Sequence, residues 1–207
     1  MIKILSICGS PVEGSSTEIL LRETADSIRK NIRSQRVRHT FVRLNDLDFA
    51  PCQSCGEAPT PSWCFLDDDL TDVYKELAGC DCLLFGSPIY FDSISAQAKA
   101  FIDRCNCFRP ADFENKDPRH DFIKLIQRKR PGAIVLVGGE QGWFEGARRC
   151  IAGFFKWIEV VNEGGLKFQP VSFERAGEAA DNTKVLKEAR QLGGRLARLL
   201  DKRYAKS

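Results

Sequence analysis

The stretch CLLFGSPIYFDSISAQAKAFIDR, residues 82–104, decides the fold. Cys82 to Phe85 is a short, nearly continuous apolar run, as expected of a strand buried on both faces. It enters a glycine-bearing loop, GSPIYF. Ser93 to Arg104 then reads as a helix with Ile94, Ala98, Phe101 and Ile102 facing inward. The same unit of apolar run and glycine loop occurs twice more: Ile2 to Cys8 enters CGSPVEGSST, and Ala133 to Val137 enters GGEQGWF. In a parallel sheet these three loops fall along one edge, so the pattern predicts one site assembled from three places in sequence.

The remaining segments fit the same alternation. Ser15-Ser16-Thr17 supplies N-cap side chains, with Glu18 in the first turn of a helix that carries Ile19, Leu20, Ile28 and Ile32 and ends near Arg33. Val37 to Leu44 suits an edge or second strand, Asp69 to Ala78 a second helix and Glu145 to Ile158 a fourth. Val160 to Phe168 holds the fifth strand. From Asp181 to Lys202, Val185, Ala189, Leu192, Leu196 and Leu199 recur at spacings of four, three, four and three, a helical stripe that the Gly193-Gly194 pair weakens locally. The order βαβαβαβαβα predicts a single-domain, doubly wound α/β sandwich. Residues 45–67 and 107–122 lack a clear pattern. Loops beyond roughly 12–15 residues tend to be lids or binding surfaces.

With 31 Lys and Arg against 28 Asp and Glu, a net +3, charge does not argue for nucleic acid. The run Arg128-Lys129-Arg130 reads as a solvated loop before a strand. The N-terminus lacks the apolar length of a signal peptide, and no stretch approaches the roughly 18 apolar residues of a membrane span. A cytoplasmic protein is expected, in which nine cysteines serve as buried thiols or in metal and redox chemistry rather than in disulfides.

The first loop joins a strand to a helix and combines glycines with the hydroxyls of Ser10, Ser15, Ser16 and Thr17, a natural phosphate cradle at a helix N-terminus. Gly9 and Gly14 are five apart, so the dinucleotide fingerprint is absent, as is the lysine of a triphosphate loop. A mononucleotide fits better. The second loop presents Tyr90 and Phe91 after Pro88, and the third offers close backbone approach at Gly138 and Gly139 beside Trp143 and Phe144. Phosphate cradle, aromatic wall and glycine shelf together describe a pocket for flavin mononucleotide (FMN).

The motifs ILSICGSPVEGSST, LLFGSPIYFDSISAQAKAFIDR and VLVGGEQGWFEGA closely resemble the flavodoxin-like NAD(P)H-dependent FMN reductase family and, within it, the iron-sulfur flavoprotein branch. The likeness runs from residue 1 to about 160. It implies a flavodoxin-like three-layer sandwich, with a five-stranded parallel sheet of order 2-1-3-4-5, bound FMN and a homodimer or homotetramer. By the resemblance, Ser10, Ser16 and Thr17 hold the phosphate, Pro88, Ile89, Tyr90 and Phe91 lie against ribityl and ring, and Gly138 and Gly139 approach the isoalloxazine edge. Val12 and Ser15 in the first loop and Ser87 in the second complete the cofactor-binding set. Relatives commonly carry basic residues where Val12 and Glu13 stand, so phosphate binding here leans on backbone and hydroxyls.

In the iron-sulfur branch the loop after the second strand carries four cysteines, and thiolates of that number hold a four-iron cluster. Cys52 and Cys55 match, Cys64 stands as the last, and the third place is Ala58. A loop without a bound cluster is taken first. A cluster with a substitute ligand, zinc and a redox-active disulfide stay open. Cys80 and Cys82 read as buried packing, Cys105 and Cys107 less firmly so, and His39 and His120 as structural residues.

The leading function is an FMN-dependent oxidoreductase, reduced by NAD(P)H and passing electrons to a quinone, a flavin or another small acceptor. No catalytic side chain is named, because the flavin carries the chemistry. The alternative is an FMN electron-transfer protein exchanging electrons with a ferredoxin-type partner. A third reading is a scaffold that has lost its cofactor.

Overall fold

The computed structural model describes residues 1–55, 63–110, 112–138, 143–172 and 176–205. Six strands and five helices follow in the order β1 (Ile2–Cys8), α1 (Ser16–Asn31), β2 (Val37–Arg43), α2 (Leu70–Gly79), β3 (Cys82–Tyr90), β4 (Ser93–Ile94), α3 (Ala96–Arg104), β5 (Arg130–Val137), α4 (Glu145–Trp157), β6 (Val160–Phe168) and α5 (Thr183–Tyr204). The sheet runs β2-β1-β3-β5-β6, all parallel, with β4 attached antiparallel to β3. Counting the parallel strands alone gives the expected 2-1-3-4-5, and β4 is an addition. Pairing of Cys8 with Gly86 and of Pro88 with Val137 brings the ends of β1, β3 and β5 to one crest.

Alternation along the buried strands divides the core in two. Ile4, Leu84 and Val135 face α1 and α5, where Leu20, Leu21, Leu192 and Leu196 meet them. Leu5, Ile7 and Phe85 face α2, α3 and α4. There Phe85, Phe101 and Phe154 have ring centroids 5.6–6.1 Å apart in edge and tilted contacts. No helix among the described residues is long and apolar enough to cross a membrane.

Two segment readings change. β3 does not stop at Phe85 but continues to Tyr90, because its last residues pair with β5 on one side and with β4 on the other. α3 starts at Ala96 rather than Ser93, since Ser95 takes an extended backbone (φ −59°, ψ 157°) and caps the helix through its hydroxyl. The Gly193-Gly194 pair leaves α5 continuous.

The basic run 128–130 is a solvated loop only as far as Lys129: Arg128 and Lys129 are exposed, but Arg130 is buried. Arg130 opens β5 at 1% exposure and donates to the carbonyls of Leu77, Ala78 (3.3 Å), Cys80 (3.1 Å) and Ile158 (3.2 Å). These lie at the C-terminal ends of α2 and α4, where carbonyls lack helical partners and favour a cation. One guanidinium therefore finishes two helices. Arg128 is tied to Asp81 at 2.6 Å, and the Lys129 carbonyl accepts from Arg203.

At the α1–α5 crossing the Ser27 hydroxyl donates to the Arg190 carbonyl (2.7 Å). A Cβ on Gly193 would stand 2.5 Å from both Ser27 Cβ and the Thr24 carbonyl, whereas one on Gly194 meets only an arginine tip at 3.9 Å. Gly193→Ala is therefore expected to cost about 1–3 kcal/mol by forcing the helices apart, and Gly194→Ala to add about 0.5–1 kcal/mol. Arg130→Ala, which leaves several buried carbonyls unpaired, is expected to cost about 3 kcal/mol or more. Urea unfolding of the three variants measures all of these, and equal midpoints for the two glycine variants would contradict the packing argument.

Candidate functional site

The crest is held together by backbone contacts that leave little room for side chains. The Gly9 amide donates to the Gly86 carbonyl (2.8 Å), joining the first loop to β3. Ser95 ties the same two loops from above: its hydroxyl donates to the Gly9 carbonyl (2.6 Å) and accepts from the Ala98 amide (3.2 Å). Its own amide donates to the Ser87 hydroxyl (3.0 Å), which in turn donates to the Pro88 carbonyl (2.7 Å). The third loop joins through glycines. Gly138 has φ +137°, where a side chain is strained, and the place of its Cβ lies 3.3 Å from the backbone of Ile89. A Cβ on Gly146, in the first turn of α4, would fall 2.2 Å from the Asp92 carbonyl. The first two loops read from the sequence meet, and the third reaches the hairpin through its described end at Gly138.

In the first loop the hydroxyls divide between folding and display. Ser15 caps α1 by accepting from the Glu18 amide (3.3 Å). Ser16 is buried, and its hydroxyl donates to the Ala176 carbonyl (3.0 Å) and accepts from the Ala179 amide (3.0 Å), so it anchors the segment after β6. The Ser10 hydroxyl closes its own turn on the Val12 amide (3.2 Å), and Val12 is exposed. Thr17 packs its methyl where a Gly86 Cβ would stand, 2.8 Å away. Its hydroxyl, its amide and the Ser15 amide have no hydrogen-bond partner among the described residues. Those donors at the N-terminus of α1 fit a phosphate. Glu18 sits beside them: one carboxylate oxygen accepts from the Gly14 amide (3.1 Å) and the other from Arg22 (2.7 Å).

The second loop is a hairpin. Ile89 pairs with Ile94 and Tyr90 with Ser93, leaving Phe91 and Asp92 as a two-residue turn with φ +50° and +58°. Both positive values mark a type I′ turn, usually made by Asn and Gly. A phenylalanine held there is strained, and such strain gathers at ligand-binding positions. Phe91 is fully exposed, Tyr90 is 48% exposed and Trp143 66%, so these aromatics are not core packing. Phe144, by contrast, is buried below Lys167. Pro88 is half-buried and Ile89 buried beneath the hairpin, while Ser87 is buried and committed to its brace. The Gly138 amide donates to the Phe168 carbonyl (2.9 Å) and is likewise committed. Gly139 lies outside the described residues.

The cysteine trio is not brought together as a ligand set. Cys55 is exposed, Cys52 lines a groove with Asn106, Phe113 and Trp157, and Cys64 packs toward the core. Its neighbour Trp63 stacks on Phe108 with centroids 4.7 Å apart. Burial pushes the Cys107 thiol up to about 12, and the nearby Cys64 adds to the effect. Among the described residues no three His, Cys, Asp or Glu side chains form a group able to hold a metal ion. Ala58, with Pro59 and Pro61, lies outside the described residues. Cys80, Cys82 and Cys105 are buried as expected. His39 meets the Ser6 hydroxyl at 2.8 Å and His120 meets Asp112 at 2.5 Å, both structural contacts.

Sequence reading missed Ser95, Glu18 and Gly146 as site residues. Ser95 had a visible signal, a serine directly before the alanine-rich helix start. The role of Gly146 depends on a contact across loops and carries no local signal, whereas Glu18 makes only local contacts, with Gly14 and Arg22 four residues to either side, and its place three after the Ser15 cap was readable. Ser95→Ala is expected to lower stability by about 1–3 kcal/mol through the lost cap and the unpaired Gly9 carbonyl, with thermal or urea unfolding as the check.

Comparison with known proteins agrees with this architecture. The family model described as NADPH-dependent FMN reductase matches residues 2–162. An iron-sulfur flavoprotein of Methanocaldococcus jannaschii is 26% identical over 205 residues, covering 96% of this chain and 97% of its own length, and relatives of the same description occur in Methanosarcina thermophila and Archaeoglobus fulgidus. Among solved structures, an NAD(P)H:quinone oxidoreductase from Methanothermobacter marburgensis superposes with a TM-score of 0.68 at 16% identity, over 94% of this chain and 96% of that one. A flavodoxin from the domain Archaea gives 0.55 at 14%, over 95% and 97%. With the flavodoxin-like fold and the three crest loops in place, the chain belongs to the NADPH-dependent FMN reductase family, whose cofactor is FMN.

Proposed function

We propose that this chain is an oxidoreductase that holds FMN across the crest, takes reducing equivalents from NAD(P)H and delivers them to a quinone, a flavin or another small acceptor. The observation that carries the reading is the strained, solvent-facing Phe91 at the hairpin tip, above a backbone shelf that only glycine permits. Bound FMN supplies the hydride and single-electron chemistry. The chain contributes position and environment. Thr17 and the Ser15 and Thr17 amides bind the phosphate, with the Ser10 hydroxyl turning from Val12 to join them. Pro88 and Ile89 set the hairpin height, and Tyr90, Phe91 and Trp143 cover the ring and exclude water. Ser16 and Ser87 act one step removed, by fixing the two loops.

Glu18 opposes the phosphate. Its carboxylate occupies the Gly14 amide and places negative charge at a helix N-terminus that an anion needs. Arg22 offsets this in part.

A second reading, an electron-transfer protein serving a ferredoxin-type partner, is favoured by the description that the archaeal relatives carry. Anaerobic mixing separates the two. Rapid bleaching of the flavin absorbance by NADH or NADPH supports the oxidoreductase, and flavin that stays oxidised with both nucleotides supports the carrier.

Replacing Tyr90 and Phe91 together by alanine is expected to weaken FMN binding at least tenfold; undiminished flavin content would remove the aromatic wall from the site. Glu18→Gln is expected to tighten FMN several-fold, most clearly at low salt. Equal or weaker affinity in a fluorescence titration would place the phosphate away from this loop.

A further inference from the structure

On the face of the sheet covered by α1 and α5 lies a second concavity, unconnected with the crest loops. A groove of about 450 Å³ runs between the two helices and is lined by Lys30, Lys187, Arg190 and Arg198, with Gly194 among its lining residues. Its one carboxylate is Glu23, which binds Arg190 at 2.5 Å. The neighbouring acids are consumed elsewhere. Asp26 pairs with Arg29 at 3.1 Å, Glu18 pairs with Arg22, and Asp201 accepts from the amides of Arg33 and Ser34. Glu188 lines a different cavity, beside β6. Lys30, Lys187 and Arg198 therefore face the groove with no carboxylate partner among the described residues.

The glycine pair adds a second, independent observation. Gly193 is required by the tight helix crossing, but Gly194 is not: a Cβ there would make only an ordinary contact, with Arg198 Nη1 at 3.9 Å. A mid-helix glycine destabilises its helix. This one lines the groove, where no side chain intrudes from its position.

We propose that the groove between α1 and α5 binds a compact polyanion of the di- or triphosphate class, held by Lys30, Lys187 and Arg198, with Arg190 exchanging Glu23 for the ligand. Guanidinium and ammonium groups lining one groove suit clustered phosphate oxygens, and the volume suits a small ligand. The net positive groove disfavours a second copy of the same face. The site is separate from the flavin reading and does not depend on it.

The test titrates inorganic tripolyphosphate into the full chain saturated with FMN, so that the phosphate loop is filled. Binding to the parent protein that weakens at least tenfold in Lys187→Ala/Arg198→Ala, but less than twofold in Lys99→Ala/Arg148→Ala, is the expected result. The second pair removes equal charge from α3 and α4. Circular dichroism shows that both double variants fold. No binding, or equal loss in both, would overturn the proposal, as would binding that survives in Lys187→Ala/Arg198→Ala. A nucleoside triphosphate run alongside separates the sources: tighter binding than tripolyphosphate assigns a nucleotide, and equal or weaker binding assigns the inorganic chain.

Discussion

The Ser95 hydroxyl donates to the Gly9 carbonyl across 86 residues of sequence, and most of the crest depends on that contact. It fixes the end of β1 against the start of α3, and through Ser87 it fixes the height of the hairpin. A buried hydroxyl that both donates and accepts can hold two elements in one geometry only if both contacts are made. The Gly9 to Gly86 bond then completes the joint. The sheet register brings the first loop and the aromatic hairpin to one crest, and this joint fixes them against each other.

Strain and charge are then distributed around this fixed point. Positive φ at Phe91 and Asp92 is tolerated because β4 closes the hairpin and Gly146 admits the Asp92 carbonyl against α4. Glu145, in the same first turn, is held down to about 2 by hydrogen bonds from Arg148 and Arg149, so a firmly ionised carboxylate sits at the favourable end of that helix dipole. The lower end of the sheet is pinned by a buried cation and a buried carboxylate instead. Arg130 finishes α2 and α4 there, and Asp81 collects the Lys3 amide, Arg128 and Tyr204. Burial alone would raise the Asp81 carboxyl, but those donors outweigh it and hold it below the ordinary carboxylate range.

Much of this was legible before any coordinates. Apolar runs from Ile2, Cys82 and Ala133 placed the central strands, since only a strand covered on both faces can be apolar at every position. The alternation of elements then pointed to a doubly wound sandwich, and the strand order came from the family resemblance. What stayed hidden was set by contacts distant in sequence. Phe91 and Asp92 do not look like turn residues, so the hairpin and β4 were read as loop and helix. Arg128-Lys129-Arg130 looked like a solvated run because nothing local says that two helix ends converge on Arg130. The hydroxyls of the first loop were recognised as a group, but which of them face outward was not readable. Ser16 proved to be bound to the segment after β6, more than 150 positions away.

The most direct test of the central claim is the flavin stoichiometry of the full chain, purified without oxygen and then incubated with FMN, read from absorbance against protein concentration. The account predicts one flavin per chain, with fluorescence quenched by the crest aromatics. A chain that remains colourless after reconstitution would contradict it, since the open donors at Thr17 and the exposed ring of Phe91 would then have no ligand to explain them.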